Sequence, residues 1–215
     1  MSWRWLLELT AVLLLAGLLA GCGAPSPGEA PAVGVVAQVQ DGDTLTLTDG
    51  RKVRLVGIDA PELEKEGQPA EFLAHQAKQV LTGLAAGQRV RLEYDRLRYD
   101  RFQRLLAYVY LEDGTFVNRE LVARGLARVY TEPPNLGKRE ELLEAQREAL
   151  EARRGIWLKA LSQDEPFYLA NQRTFRFHRP GCHLAREIAP ANRVRLTSKK
   201  DAYLQGFSPC RTCRP

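Results

Sequence analysis

The sequence predicts a mixed α and β fold followed by a small cysteine-containing tail. Short runs of β-branched and alternating apolar residues, separated by Asp-Gly turns, predict strands joined by hairpins. Two longer segments repeat apolar residues at helical spacing and end before a glycine, which indicates amphipathic helices. Three of the four cysteines lie near the C-terminus, which indicates a further small unit there.

The predicted strands follow one another in the first part of the chain. Thr and Leu alternate from Thr44, as in a half-buried strand, and Asp49-Gly50 then predicts a hairpin turn. Pro61 ends the third strand because proline has no amide proton for the ladder. The predicted strands are 33–39, 44–48, 52–58, 89–94 and 104–111, with an extended segment at 126–130.

Three helices are predicted among these strands. The first carries an apolar stripe and ends before Gly87, and the second is short, with Asn118 as its cap and Gly125 after its end. The third is the longest and ends before Gly155, so that Trp157 is expected to pack on the barrel. The predicted helices are 70–84, 118–124 and 138–153.

Residues 1–22 are predicted to be a signal segment outside the fold. The apolar run after Arg4 is too short for a comfortable membrane span, and Leu-Ala-Gly before Cys22 resembles a bacterial lipobox. Cleavage before Cys22 and lipidation of its sulfur would leave the protein exported and anchored to a bacterial membrane. An uncleaved anchor is the alternative. Residues 23–32 are predicted to be a flexible linker.

The positive charge of the chain lies in its tail. Residues 162–215 contain 10 Lys and Arg against 4 Asp and Glu, whereas the remainder is nearly neutral. A basic module suits a polyanionic partner such as nucleic acid, although solubility is the plainer interpretation.

Three separated segments offer the chemistry of phosphodiester cleavage. They are Asp41-Gly42-Asp43-Thr44, residues 54–62 and residues 100–107. Cleavage needs a divalent ion, a base for water and rigid cations on the phosphate. Singly, an aspartate at a strand end caps a turn and an arginine in a strand faces water. Together and in this order, the segments resemble the staphylococcal nuclease family over residues 33–157.

This resemblance implies a five-stranded OB-fold barrel with helices over residues 33–158. It also implies that Asp43, Asp59 and the carbonyl of Ala60 hold a metal ion. All these ligand atoms are oxygens, which favours Ca²⁺ before Mg²⁺. Glu62 corresponds to the general base, and Arg54 and Arg104 to the two arginines that bind the scissile phosphate.

The substrate surface departs from the family pattern. Arg101-Phe102-Gln103 stands where the family often has Lys-Tyr-Gly, and Tyr130 lies near the place of two base-stacking tyrosines. We expect Arg101, Phe102 and Tyr130 to contact substrate, with ordinary barrel packing as the alternative for the two aromatic residues. The expected substrates are single-stranded DNA and RNA. The chain is expected to act as a monomer without a protein partner.

The tail contains four residues with the ligand chemistry of a tetrahedral Zn²⁺ site: His178, Cys182, Cys210 and Cys213. A disulfide between two of the cysteines is the alternative in an exported protein. Residues 167–215 resemble the zinc-binding domain of Ada-type DNA methyl-phosphotriester repair proteins. His178 replaces the methyl-accepting cysteine of that family, which implies that the tail keeps the fold and loses the alkyl transfer.

The sequence as a whole predicts a calcium-dependent endonuclease of DNA and RNA outside the cytoplasmic membrane, with a structural Zn²⁺ in its tail. The alternative is a non-catalytic OB-fold lipoprotein that binds nucleic acid. The tail is expected to add phosphate contacts and to be dispensable for cleavage itself.

Overall fold

A closed five-stranded barrel forms the first part of the described chain. The computed structural model describes residues 32–215. The first seven strands are β1 (Val33–Val39), β2 (Thr44–Leu47), β3 (Lys52–Leu55), β4 (Ile58–Asp59), β5 (Arg89–Tyr99), β6 (Leu105–Leu111) and β7 (Arg128–Val129). The barrel order is β1-β2-β3-β6-β5, with β1 paired to β5. Strands β3 and β6 run parallel and the other barrel pairs antiparallel. The predicted OB-type barrel is therefore confirmed.

The predicted strand 52–58 is interrupted at Gly57. Gly57 has a φ of +81°, and the side-chain amide of Asn118 donates to the Val56 carbonyl over 2.9 Å. The same side chain accepts from the Val109 amide, so it ties the break to the barrel wall. The chain then leaves the barrel as β4 and pairs with β7. This turn places Asp59 directly opposite Arg128.

Three helices pack around the barrel. They are α1 (Ala74–Ala85), α2 (Val117–Ala123) and α3 (Arg139–Glu151). Helix α1 begins later than predicted because Leu73, at φ 69°, adopts a left-handed conformation. A single turn of 3-10 helix at Gly155–Leu158 follows α3. In it, Trp157 is buried, but it packs among residues of α3 and the tail, including Tyr203, and not on the barrel strands as expected.

The tail folds around a second, four-stranded sheet. Its elements are β8 (Tyr168–Asn171), β9 (Arg176–His178), α4 (His183–Arg186), β10 (Arg193–Leu196), α5 (Lys199–Leu204) and β11 (Ser208–Pro209), with a 3-10 turn at Pro190–Asn192. The sheet order is β10-β8-β9-β11, and β11 runs parallel to β9.

Helix α3 and the 3-10 turn after it share an apolar cluster with the tail, within a single compact unit. Trp157 contacts Tyr203 edge-to-face with ring centroids 4.9 Å apart, and Ala149 and Leu150 of α3 belong to the same cluster. Gln146 accepts from the Val129 amide and donates to the Tyr203 carbonyl. Removal of the tail would expose this apolar surface and leave buried polar groups without hydrogen-bond partners. We therefore now expect a chain without the tail to be less stable, although the tail was expected to be dispensable for cleavage.

The predicted signal segment, its lipidation residue Cys22 and residues 23–31 of the predicted linker lie outside the described residues. Between residues 32 and 215, no helix is both long enough and apolar enough to cross a bilayer.

Candidate active site and metal cluster

The turn between β1 and β2 presents Asp43 to the interior of the site. Asp41 accepts the Asp43 amide over 3.0 Å and so shapes the turn. A Cβ atom on Gly42 would lie 2.6 Å from the Cβ of Ala60 and 2.9 Å from that of Ala77, so the turn packs directly on its neighbours. Asp43 is buried, and its Oδ2 accepts the Ala60 amide over 2.8 Å. The fold therefore brings Asp43 and the Ala60 backbone together.

Asp59 lies beside Asp43 in a ring of arginines. Arg128 donates to Asp59 Oδ2 through Nε at 3.0 Å and Nη2 at 2.7 Å. Arg211 Nη2 lies 3.0 Å from Asp59 Oδ1. Arg54 Nη2 links the two aspartates, at 3.1 Å from Asp43 Oδ2 and 3.6 Å from Asp59 Oδ1. The two predicted ligand side chains and one predicted phosphate-binding arginine therefore meet at one place.

The two buried carboxylates have opposite pKa shifts. Burial raises the pKa of Asp43 to about 7, despite the opposing charge of Arg54. Burial also acts to raise the pKa of Asp59, but the charges of Arg128, Arg54 and Arg211 outweigh it and hold that pKa below the ordinary value. Buried carboxylate oxygens of this kind are the ligands that a hard metal ion prefers.

Arg104 is held by Asp100 at the start of β6. Its Nε donates to Asp100 Oδ2 over 2.7 Å, and its amide donates to Oδ1. Because the carboxylate binds Nε, the terminal guanidinium nitrogens stay available for a phosphate. The exposed ring of Phe102 lies beside two guanidinium groups, 4.7 Å from that of Arg101 and 5.6 Å from that of Arg104.

These residues line a cleft of about 450 Å³ at one end of the barrel. Tyr130 forms part of its wall and is already in contact with two cations. The guanidinium of Arg176 lies 3.7 Å from the Tyr130 ring centroid, and that of Arg211 lies 5.5 Å away. The residues of the predicted site in the lining are Arg54, Arg101, Phe102, Arg104 and Tyr130.

Glu62 lies in the loop after β4, directly behind Pro61. Its carboxylate is part-exposed and pairs with Lys65 at 2.6 Å. Burial acts to lower the pKa of Arg211, but Asp59, with smaller contributions from Tyr130 and Glu62, raises it. The negative charge of Glu62 therefore contributes to the raised pKa of Arg211, the arginine that contacts Asp59. Glu62 is not among the residues that line the cleft, and its carboxylate is partnered by Lys65 in the described structure.

Three arginines of the site were not predicted from the sequence. Arg128 could have been found from the pairing of β4 with β7, but two-residue strands leave little trace in the sequence. Arg176 stacks on Tyr130 from the tail. In sequence, Arg211 lies between the predicted Zn²⁺ ligands Cys210 and Cys213. Its contact with Asp59 therefore depends wholly on how the tail packs.

The chain is similar to proteins of a known family. The family described as "Staphylococcal nuclease homologue" matches residues 52–159. The "Thermonuclease" of Staphylococcus intermedius is 41% identical over 126 residues, which cover 57% of this chain and 74% of the relative. The chain belongs to the staphylococcal nuclease family.

Other members of the family are similar over the same region. A "Thermonuclease" of Staphylococcus hyicus is 37% identical over 125 residues, covering 57% of this chain and 73% of the relative. An "Uncharacterized endonuclease" of Escherichia coli is 37% identical over 130 residues, covering 59% and 78%. As a staphylococcal nuclease homologue, the chain is a nuclease, a hydrolase whose substrate is nucleic acid.

A metal-binding cluster follows the nuclease region. Residues 156–215 match the family described as "Metal binding domain of Ada". The ligand atoms of His178, Cys182, Cys210 and Cys213 all lie within 4.8 Å of one another. The three cysteines are free thiols. Such a convergence fits four ligands around one Zn²⁺ and does not need the disulfide alternative. His183, which follows Cys182, is exposed and not part of the cluster.

The surroundings of the cluster suit a metal centre. The Thr212 amide donates to Cys210 Sγ and the Arg179 amide to Cys213 Sγ, each over 3.4 Å. Burial acts to raise the pKa of Cys210, but hydrogen bonds to its sulfur outweigh it and lower that pKa, whereas burial dominates at Cys213 and raises its pKa to about 12. A bound cation would favour the thiolate form of both. Burial, with Arg176 nearby, lowers the pKa of His178, so its imidazole is neutral and can bind a metal at neutral pH.

Proposed function

We propose that the protein is a Ca²⁺-dependent endonuclease that cleaves single-stranded DNA and RNA as a monomer. The observation that carries this proposal is the joining of buried Asp43 and Asp59 by Arg54, at the edge of a cleft that also contains Arg104. An OB-type barrel surface with exposed aromatic and basic side chains suits unpaired strands.

Each residue of the site has a separate role in the proposed reaction. Asp43, Asp59 and the Ala60 carbonyl would hold Ca²⁺, because all three offer oxygen ligands. When bound, the ion would supply charge stabilisation at the phosphate oxygens. Glu62 would accept the proton of the attacking water, whose oxygen bonds to phosphorus as the bond to the leaving oxygen breaks.

Arg54 and Arg104 would stabilise the negative charge that grows on the phosphate oxygens. Arg54 is fixed by Asp43 and by its own donation to the Leu55 carbonyl over 2.7 Å. Arg104 is fixed through Nε by Asp100. Guanidinium groups held in place before the reaction favour the transition state over the ground state.

Glu62→Gln is the direct test of this function. We expect it to lower kcat by about 10²- to 10⁴-fold with a modest change in substrate binding, because a positioned base contributes an effect of that size. The matched control is Glu64→Gln, since Glu64 is exposed in the same loop and pairs with His75. Activity is measured on single-stranded DNA with Ca²⁺ or with chelator. Full activity in chelator at neutral pH would contradict the metal-dependent mechanism.

We also propose that the nuclease is exported and anchored to a bacterial membrane by a lipid on Cys22. The support is the sequence of residues 1–22, which precedes the described residues. Cys22→Ser is expected to release the protein from membranes or to leave it unprocessed. A mature N-terminus at a residue other than 22 would contradict the lipoprotein assignment.

For the tail, we propose one structural Zn²⁺ and no methyl-transfer activity, because His178 stands where Ada-type proteins carry the accepting thiolate. Elemental analysis of the purified, untagged chain should find about one equivalent of zinc. Less than a half-equivalent, with thiols found paired, would favour a disulfide instead.

A further inference from the structure

We propose that Arg211, carried by the metal-binding tail, is a third substrate-binding arginine of the nuclease site. It would contact a phosphate of the nucleic acid strand in the cleft that Arg54 and Arg104 line. This inference rests on the proposed nuclease function and assigns the tail a direct part in it. The loop Cys210–Cys213 then serves to fix the arginine as well as to bind metal.

The position of Arg211 supports this role. Its Nη2 lies 3.0 Å from Asp59 Oδ1, and its guanidinium lies 5.5 Å from the Tyr130 ring centroid. It lines the same cleft as Arg54 and Arg104. The Arg211 side chain is 68% exposed, although the Asp59 side chain that it contacts is only 6% exposed. Its remaining donors are therefore open to a ligand in the cleft.

The loop that carries Arg211 is anchored on both sides. The Cys210 amide donates to the Phe177 carbonyl, and the Arg214 amide donates back to Cys210. Ser208 Oγ donates to the Val129 carbonyl over 2.9 Å, which ties β11 to β7, the strand of Arg128. The elements that hold the two Asp59-binding arginines are thus bonded to each other. A fixed backbone reduces the entropy lost when a side chain binds its ligand.

A purely structural role explains Arg211 less well. Asp59 already accepts two hydrogen bonds from Arg128 and lies near Arg54. A third and largely exposed guanidinium adds little to the stability of such a carboxylate. A phosphate would give the exposed donors of Arg211 an acceptor of matching geometry.

The first experiment compares Arg211→Ala and Arg211→Lys with the control Arg186→Ala. Arg186 is an exposed arginine of the same tail, on α4 and outside the cleft. We expect Arg211→Ala to raise KM for a short single-stranded oligonucleotide about tenfold, the loss typical of one charge-assisted phosphate contact. kcat should stay within about twofold. Arg211→Lys should recover part of the loss, and Arg186→Ala should leave KM unchanged.

A binding measurement supplies a readout that does not depend on turnover. Fluorescence anisotropy of the labelled oligonucleotide is followed in the Glu62→Gln background over a range of salt concentrations. Loss of one phosphate contact should lower the slope of log affinity against log salt by about 0.7. The Arg186 control should keep the slope of the parent protein.

The four metal-ligand residues of the tail should influence substrate binding by holding Arg211 in position. Cys213→Ser is expected to raise KM as Arg211→Ala does. The KM of the double variant should be no higher than that of either single variant, because both substitutions remove the same contact between Arg211 and a phosphate. Circular dichroism checks that Cys213→Ser is folded. If it is not, Arg211→Ala and Arg211→Lys decide the matter alone.

Two results would overturn the inference. One is unchanged KM and salt slope in Arg211→Ala. The other is faster cleavage with tighter Ca²⁺ binding in that variant, which would make Arg211 a competitor of the metal at Asp59. If the parent protein fails to cleave with Ca²⁺, the proposed function is wrong, while anisotropy still decides whether Arg211 binds nucleic acid.

Discussion

Asp59 is held by guanidinium groups on both of its carboxylate oxygens. Arg128 donates twice to Oδ2, and Arg211 lies against Oδ1. Because the side chain is buried, the paired hydrogen bonds from Arg128 compensate its charge and set its orientation. An oriented carboxylate suits metal binding, since the lone pairs already point in a fixed direction.

Lysine substitutions test whether charge alone is sufficient at the phosphate-binding positions. Arg54→Lys and Arg104→Lys are each expected to lower kcat on the order of 100-fold, because lysine keeps the charge but not the planar fork. Steady-state kinetics on single-stranded DNA measures this loss. The control is Arg89→Lys, at an exposed residue that pairs with Glu112. Wild-type rates in both site variants would remove these arginines from the mechanism.

At the scale of elements, the turn after β1 and the helix α1 are packed against each other. The turn carries Asp43, and Gly42 leaves no room for a side chain between Ala60 and Ala77. Gly83, within α1, has no atom within 4 Å of a Cβ built on it. A methyl group added at Gly42 is therefore expected to clash, whereas one added at Gly83 should be accommodated.

Gly42→Ala is expected to destabilise the protein by about 1–3 kcal/mol, because the added methyl overpacks the turn. It should also weaken Ca²⁺ binding by displacing Asp43. Gly83→Ala should stabilise by about 0.5–1 kcal/mol through helix propensity and leave Ca²⁺ binding unchanged. Urea unfolding and calcium titration measure the two effects. Equal behaviour of both variants would show that the close packing at Gly42 is unimportant.

The connection into the tail is held by Asp164, which predicts a pH-dependent stability. Burial acts to raise the Asp164 pKa, but hydrogen bonds from Tyr168, Lys199 and Arg179 outweigh it and lower the pKa to about 2. A lowered pKa stabilises the fold above the ordinary value near 3.8, and this contribution is lost as the pH falls toward 2.

Asp164→Asn should therefore lower stability at pH 7 by a few tenths to about 1 kcal/mol, since the carboxylate is partly exposed. The difference from the parent should vanish near pH 2. Urea unfolding at a series of pH values measures it, with Glu187→Gln, an exposed residue of the tail, as the control. A constant difference down to pH 2 would contradict the ion-pair explanation.

At the scale of the whole molecule, the barrel region and the tail should unfold together. Trp157 and Tyr203 come from the two regions and meet in one buried cluster. Shared apolar core makes the two parts cooperative, because neither can bury its surface alone.

Tyr203→Ala is expected to lower the free energy of unfolding by about 3–5 kcal/mol, as for other buried aromatic residues. In a chain that begins at residue 23, Trp157 is the tryptophan present, so its fluorescence reports on the shared core. Fluorescence and circular dichroism should give one coincident transition in parent and variant. Leu158→Ala, at a residue that is 66% exposed, is the control. Two separate transitions in the parent would show that the tail is an independent domain.

Much of the fold and of the candidate site could be predicted from local sequence. The hairpin turns at Asp41 and Asp49, the alternation in β2 and the apolar face of α3 are short-range patterns, and the corresponding elements are present. The four ligand residues of the tail could be found because metal chemistry restricts both residue type and spacing. Local patterns also placed Arg54 within a strand and Asp43 and Asp59 next to strand ends.

The tertiary structure alone decided how these parts meet. The break at Gly57 depends on Asn118, which lies far along the chain, and the pairing of Asp59 with Arg128 depends on the register of two short strands. Arg211 reaches Asp59 because the tail packs on α3 and β7. Such contacts arise from burial and register between distant segments, which leave no periodic trace in the sequence.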